Sequence, residues 1–222
     1  MSFEHVAVIA DVIRSRSYPD RSAVQHQVED LLTTIAETFP PIKPFTPTVG
    51  DELQAVYASR NDALAATLLA ALVHQDGPQL RFGLGQGEVL EVHSGASEDV
   101  QDGPGWWRAR EAIEGVAALQ KRYPNVRSRF IGADTHDDAV INAYLLTRDH
   151  LVATMSVNAR RYARGVAEGK SQDQIAAEVG VTQPAVSKSL RTSGAAELML
   201  GLKGLASQSA QSPNEHPSGG NA

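Results

Sequence analysis

Apolar positions along the chain change their period several times, and each change marks an element. Residues 5–11 form a nearly continuous apolar run ended by Asp11, the pattern of a buried central strand. Residues 20–39 carry Val24, Val28, Leu31, Leu32 and Ile35 at helical spacing, with Asp20 placed to cap the first turn. Pro40, Pro41, Pro44 and Pro47 punctuate the exit from that helix. Two short stretches, 46–49 and 53–57, flank Gly50-Asp51, which predicts a β-hairpin. Residues 60–75 are rich in Ala and Leu and read as a helix. Residues 80–92 read as a strand in which Gly83, Gly85 and Gly87 leave one side bare for another backbone or a ligand. A polar loop over 94–103, a helix over 104–122 and a strand over 125–131 complete the order β-α-β-β-α-β-α-β. From Asp134 only helical patterns follow, as far as residue 192. The tail of Ser, Gln, Pro, Gly and Asn cannot bury enough to order itself. The chain is therefore expected to be α+β, with an α/β domain over 1–133, a helical module over 134–206 and a disordered tail over 207–222.

Within the helical part, the run from Gln174 to Leu190 reads as a helix-turn-helix. Ser171 and Gln174 fit a capping box, and Ile175, Ala176 and Val179 point inward. Gly180 supplies the left-handed backbone a sharp turn needs, and Val181 is expected to plug the space between the helices. Thr182 is placed to cap the second helix, with Pro184 in its first turn and Val186 and Leu190 facing the core. That leaves Gln183, Ser187, Lys188 and Arg191 on the outer face. With Thr182, these form the expected contact surface for double-stranded DNA, Gln and Ser reaching base edges, Lys and Arg taking phosphates or guanine.

Charge sharpens this reading. The chain carries a net −6, yet residues 155–206 hold Arg160, Arg161, Arg164, Lys170, Lys188, Arg191 and Lys203 against Glu168, Asp173, Glu178 and Glu197. An acidic body with a basic C-terminal module suits a DNA reader whose field is confined to one end. At 222 residues and 42% hydrophobic, the chain has material for one sizeable core and a small satellite. The absence of cysteine excludes disulfides and thiolate metal sites. No segment has the pattern of a signal peptide and no apolar run reaches membrane-spanning length, so a cytoplasmic protein without membrane contact is expected.

The N-terminal acids suggest a second chemistry. Asp11 ends the first strand, Asp51 sits at the hairpin tip and Glu52 follows it. Carboxylates at neighbouring strand ends suit Mg or Mn, hard cations that take oxygen ligands and bridge the phosphates of a nucleotide. Arg14 and Arg16, close behind Asp11, are candidate phosphate contacts, as are Arg108 and Arg110. Strand-end aspartates also serve as plain turn residues, and helix arginines as solvated charges. Trp106 and Trp107, adjacent on a helix, must point different ways: one into the core, the other to an interface or a stacked base.

Ala7-Val8-Ile9-Ala10-Asp11, then Val49-Gly50-Asp51-Glu52-Leu53, then Arg81-Phe82-Gly83-Leu84-Gly85-Gln86-Gly87, then Asp102-Gly103-Pro104-Gly105-Trp106-Trp107-Arg108-Ala109-Arg110 resemble, in that order, the palm of nucleotidyl cyclases and diguanylate cyclases. With the helix-turn-helix appended, residues 3–192 resemble the bacterial SatD family. The resemblance implies a ferredoxin-like, nucleotidyl-cyclase-like α/β fold, with two metals on Asp11 and Asp51. The chain departs from the cyclase pattern at Trp106, which stands where cyclases carry an Asn one turn before the helix Arg. It departs again at Val49, where the diguanylate-cyclase hairpin has a second Gly. The sequence favours a DNA-binding, transcription-regulating protein whose palm senses a nucleotide or metal. An alternative is a nucleotidyl cyclase or phosphotransferase with two-metal catalysis, and a second is a degenerate palm that only dimerises. A homodimer would bring two reading helices to half-sites one helical turn apart.

Overall fold

β1 (His5–Val12) runs through the middle of a five-stranded sheet, and its alternating side chains divide the core in two. The computed structural model describes residues 5–48, 50–72, 77–92 and 100–209. β1 leads through α1 (Arg21–Thr38) to the hairpin of β2 (Lys43–Pro47) and β3 (Glu52–Tyr57), then through α2 (Arg60–Ala71) to β4 (Leu80–Gly87). β3 and β4 both pair antiparallel with β1, and β2 pairs antiparallel with β3. The order β2-β3-β1-β4 is that of two interleaved split β-α-β units, the ferredoxin-like arrangement. A short pair, β5 (Leu90–Val92) with β6 (Val100–Asp102), follows. α3 (Pro104–Leu119) then crosses to β7 (Ser128–Ile131), which joins the sheet parallel to β4.

Val6, Val8, Ala10 and Val12 face α1 and α2 and belong to the larger core, with Leu32, Ile35, Leu69, Phe82 and Phe130. Ala7 and Ile9 face the other way, under Trp106, Ala109 and Ile113 of α3. The bare glycines of β4 explain how α3 lies so close. A Cβ on Gly85 would stand 2.1 Å from the Gly105 carbonyl oxygen, and one on Gly83 2.3 Å from that of Ala109. Of the two expected uses for this bare side, the structure has the backbone.

α4 (Thr135–Thr154) covers the open edge of β7 with polar side chains. Asp138 accepts from Gly132 N, Asn142 bonds both backbone groups of Phe130, and Asp149 accepts from Arg127 N and Ser128 N. The helix steps down the strand edge and satisfies groups that would otherwise template another strand. α5 (Val157–Ala167), α6 (Gln172–Val179), α7 (Gln183–Thr192) and α8 (Ala195–Ser209) surround a second apolar cluster, which also takes in Ala65, Leu68 and Leu72 from the α2 region.

Several boundaries differ from the expectation. The strand read over 80–92 breaks after Gly87 into β4 and β5, and α8 extends the helical part to Ser209. The helical part after Asp134 divides first at Met155 and Ser156, where the Ser156 side chain caps α5. Val49 of the hairpin, residues 73–75 of the second helix, much of the 94–103 loop and most of the tail lie outside the described residues. Among the described residues no helix is long and apolar enough to cross a membrane.

Candidate functional site

Asp11 lies in β1 directly opposite Glu52 of β3 on one side and Arg81 of β4 on the other. Cross-strand partners share a face, so three charged side chains meet on the side of the sheet that α3 crosses. Arg81 donates Nε to Asp11 Oδ2 at 2.7 Å and gives Nη2 to the same oxygen. Arg110 of α3 grips Glu52 with both ends of its guanidinium, Nη2 donating to Oε1 at 2.7 Å. Glu52 is therefore engaged by an arginine fork and does not join the other two acids as the expected metal ligand. Burial alone would raise its carboxyl, but hydrogen bonds from Arg110 and Gln54 carry it below the ordinary value.

Asp51, at the hairpin turn, does reach Asp11. Burial lifts the Asp11 carboxyl above its usual range, Arg81 opposes the rise and Asp51 adds to it. Asp51 shifts the other way: its burial would raise it, but hydrogen bonds with Ser15 and Asp11 and the charge of Arg21 hold it low. The two carboxyls are close enough to act on one another, and their shifts run in opposite directions. Such a pair fits one Mg or Mn that keeps waters and takes its remaining oxygens from phosphate. Among the described residues no group of three or more acids, histidines or cysteines gathers to hold a metal.

A cleft of about 710 Å³ is linked to Asp11 through Arg81, while Asp51 lines another hollow with Ser15 and Arg21. Arg14, Arg81, Lys121 and Arg127 line the cleft with Ser17, Gln79, Gln120 and Asn125, and no acid is among its lining residues. Arg81 belongs to both places, lining the cleft while gripping Asp11. Arg14 has φ 57°, the one non-glycine residue with positive φ among those described. Its carbonyl accepts from Ser17 N and Ser17 Oγ, each at 2.8 Å, which holds a backbone form that costs about 1–3 kcal/mol.

The other expected phosphate contacts are placed elsewhere. Arg16 is exposed in the turn after β1. Arg108 donates to the Gln86 carbonyl at 2.6 Å, and Arg110 is held by Glu52. Trp106 is buried under the sheet, whereas Trp107 is 63% exposed with its Nε1 on Asp102. Arg81, Lys121 and Arg127 are not among the site residues expected from the sequence, although Arg81 opens one of its motifs. Arg81 alone left a trace, since its two-residue spacing from Gly83, Gly85 and Gly87 puts it on their face.

In the helical part, the Ser171–Gln174 capping box forms in both directions, and Gly180 turns the chain at φ 71°. Val186 and Leu190 are buried beside Ile175, Ala176 and Tyr162. Three expectations need correction. Thr182 occupies the N-cap position, but its side chain makes no capping hydrogen bond. Val181 is 40% exposed and plugs nothing, because Ile175 and Val186 already fill the space between the helices. Gln183 is half-buried and donates Nε2 to Gln172 Oε1 at 2.8 Å, so its amide is partly committed. Thr182, Lys188 and Arg191 are exposed and Ser187 is half-buried.

No curated protein matches the chain. Among solved structures, a bacterial light-regulated adenylyl cyclase is similar at 16% identity over 59% of this chain, with a TM-score of 0.42. A second structure described as the same kind of cyclase has 17% identity over 59% of the chain and a TM-score of 0.43. The chain covers 43% of each of these two proteins. The catalytic core of a rhodopsin-guanylyl cyclase with converted specificity, in complex with ATPαS, has 17% identity and a TM-score of 0.40, over 51% of this chain and 73% of that one. The model of the SatD family matches residues 5–207, and the chain belongs to that family.

Proposed function

We propose that the α/β domain binds a nucleoside triphosphate together with one divalent cation, where the nucleotidyl cyclase or phosphotransferase reading has two. The observation that carries this is the neighbouring carboxyls of Asp11 and Asp51, with Arg81 linking Asp11 to an acid-free cationic cleft. In this reading Asp11 and Asp51 hold the cation, Arg14 and Lys121 receive phosphate oxygens, and Arg81 orients Asp11. The cation, when bound, supplies positive charge that neutralises the phosphates and polarises the reacting phosphorus. Trp106, packed against Ala7, Ile9 and Val56 with its buried indole Nε1 unpartnered, carries no amide to replace that of the cyclase Asn.

The test is calorimetry of ATP, GTP and cyclic dinucleotides against the full chain, with and without Mn²⁺, followed by chromatography of the products. Metal-dependent heat with a triphosphate is expected, and Asp51→Asn should weaken it at least tenfold, about 1.4 kcal/mol. Conversion to a cyclic or transferred product establishes an enzyme, and binding without product leaves a sensor. No heat with any nucleotide overturns the reading.

The exposed cations of α7 favour a second role for the same chain. The capped α6, the glycine turn and the outward Lys188 and Arg191 suit a helix-turn-helix on duplex DNA. A homodimer would present two such helices to adjacent half-sites. Under this reading the nucleotide site biases DNA affinity by binding differently in two states.

A further inference from the structure

Arg160, in the second turn of α5, is 6% exposed and charged at ordinary pH, yet its Nε and Nη2 meet no hydrogen-bond acceptor. Burial lowers its pKa and no neighbouring charge offsets that. A buried guanidinium left this way is costly and calls for an explanation. Arg160 lies on the wall of a cavity of about 220 Å³ where the end of α2, the start of β4, the turn before β7, the end of α4 and α5 converge. The facing wall carries Arg127, Gln79 and Asn125. Arg127 spends its own donors on the carbonyls of Pro124 and Val126 and on Gln79 Oε1, all of them neutral acceptors.

The one carboxylate on the wall, Asp149, is already committed. Its Oδ2 accepts from two backbone amides and its Oδ1 from two nitrogens of Arg148. The cavity therefore has one guanidinium, Arg160, with no acid acting on it, and a second, Arg127, whose neighbouring acid Asp149 is already engaged by Arg148. An anion is the missing partner.

Size and donors narrow its class. At about 30 Å³ per water the space holds roughly seven waters, enough for a tetrahedral oxyanion and a few waters but less than the ~300–1,000 Å³ of a site enclosing a drug-sized ligand. A doubly charged phosphate also uses more donors than a carboxylate, and guanidinium forks match its edges. We propose that a phosphate group, either free inorganic phosphate or the terminal phosphate of a nucleotide, binds between Arg160 and Arg127 and fastens α5 to the sheet. The site shares Arg127, Gln79 and Asn125 with the cleft linked to Asp11, but Arg160 lines this cavity and not that cleft, and binding here needs no metal at Asp11 and Asp51.

The test is thermal melting of the full chain in EDTA, with phosphate, ATP or chloride at equal ionic strength. Saturating phosphate should raise the melting temperature by about 5 °C over chloride, by preferential binding to the folded state. Arg160→Leu should keep or raise the melting temperature in chloride, because it removes an unpaired buried charge, and should abolish the phosphate shift. Arg127→Gln should weaken the apparent phosphate affinity at least tenfold. A shift with ATP but not with free phosphate, lost in Arg160→Leu, assigns the nucleotide as the source. No shift with either anion, or a shift that survives in Arg160→Leu, overturns the proposal. Loss of nucleotide binding in Asp51→Asn with the phosphate shift intact would leave this site standing and concern the other alone.

Discussion

Arg148 and Asp149 are both fully buried neighbours on α4, an unusual outcome for two consecutive charges on a helix. Their hydrogen bonds explain it. Asp149 ties the start of β7 by two backbone amides, while Arg148 reaches Ser128 Oγ at 2.6 Å and Thr67 Oγ1 at 3.1 Å. One pair thus joins α4, β7 and α2, with each charge surrounded by partners. Removing one member strands the other, so Asp149→Ala should cost about 3–5 kcal/mol, to be read from urea unfolding. A loss below about 1 kcal/mol would mean that water enters and takes over the bonds. Nothing in the sequence distinguishes this pair from a solvated one, because its burial depends on where β7 lies. Asp11 was easier to find: an acid closing an apolar run is visible in one dimension. Its clasp by Arg81 depends on strand register across 70 residues and is not.

Among the elements, legibility follows how local the determining physics is. α1 capped by Asp20, the capping box of α6 and the glycine turn before α7 each rest on contacts a few residues apart, and each forms as read. α4 was visible as a helix, but its polar stripe looks like solvent-facing surface and in fact seals the edge of β7 through Asp138, Asn142 and Asp149. The glycines of β4 announced a close approach without saying that α3 makes it. For α7, the local signals are sound and its surface remains the element to test. Lys188 is exposed on α7. If α7 lies in a major groove, Lys188→Ala should weaken binding to all duplex sequences alike and lower the salt slope of the logarithmic affinity by about one. Titration by fluorescence anisotropy between low and moderate salt measures both. An unchanged slope would remove Lys188 from the DNA face.

At the scale of the whole molecule, α2 decides how the two halves behave. Ala63, Leu64, Ala66 and Leu69 on one side of it belong to the core over the sheet, while Ala65 and Leu68 on the other belong to the cluster of α5–α8. Every residue of α2 from 63 to 70 is buried, so neither half can leave without exposing a face of this helix. The boundary expected at residue 134 divides the chain by sequence pattern, whereas the apolar contacts run across it. Heating should therefore unfold both halves in one transition. Trp106 and Trp107 both lie in α3 and report on the sheet side, while far-ultraviolet dichroism is weighted toward the helices, so the two signals should coincide. Leu68→Ala, opening a cavity between the halves, should lower both midpoints together by about 2–5 kcal/mol of stability. A helical signal that melts ahead of the tryptophan signal would instead make the α5–α8 cluster an independent unit.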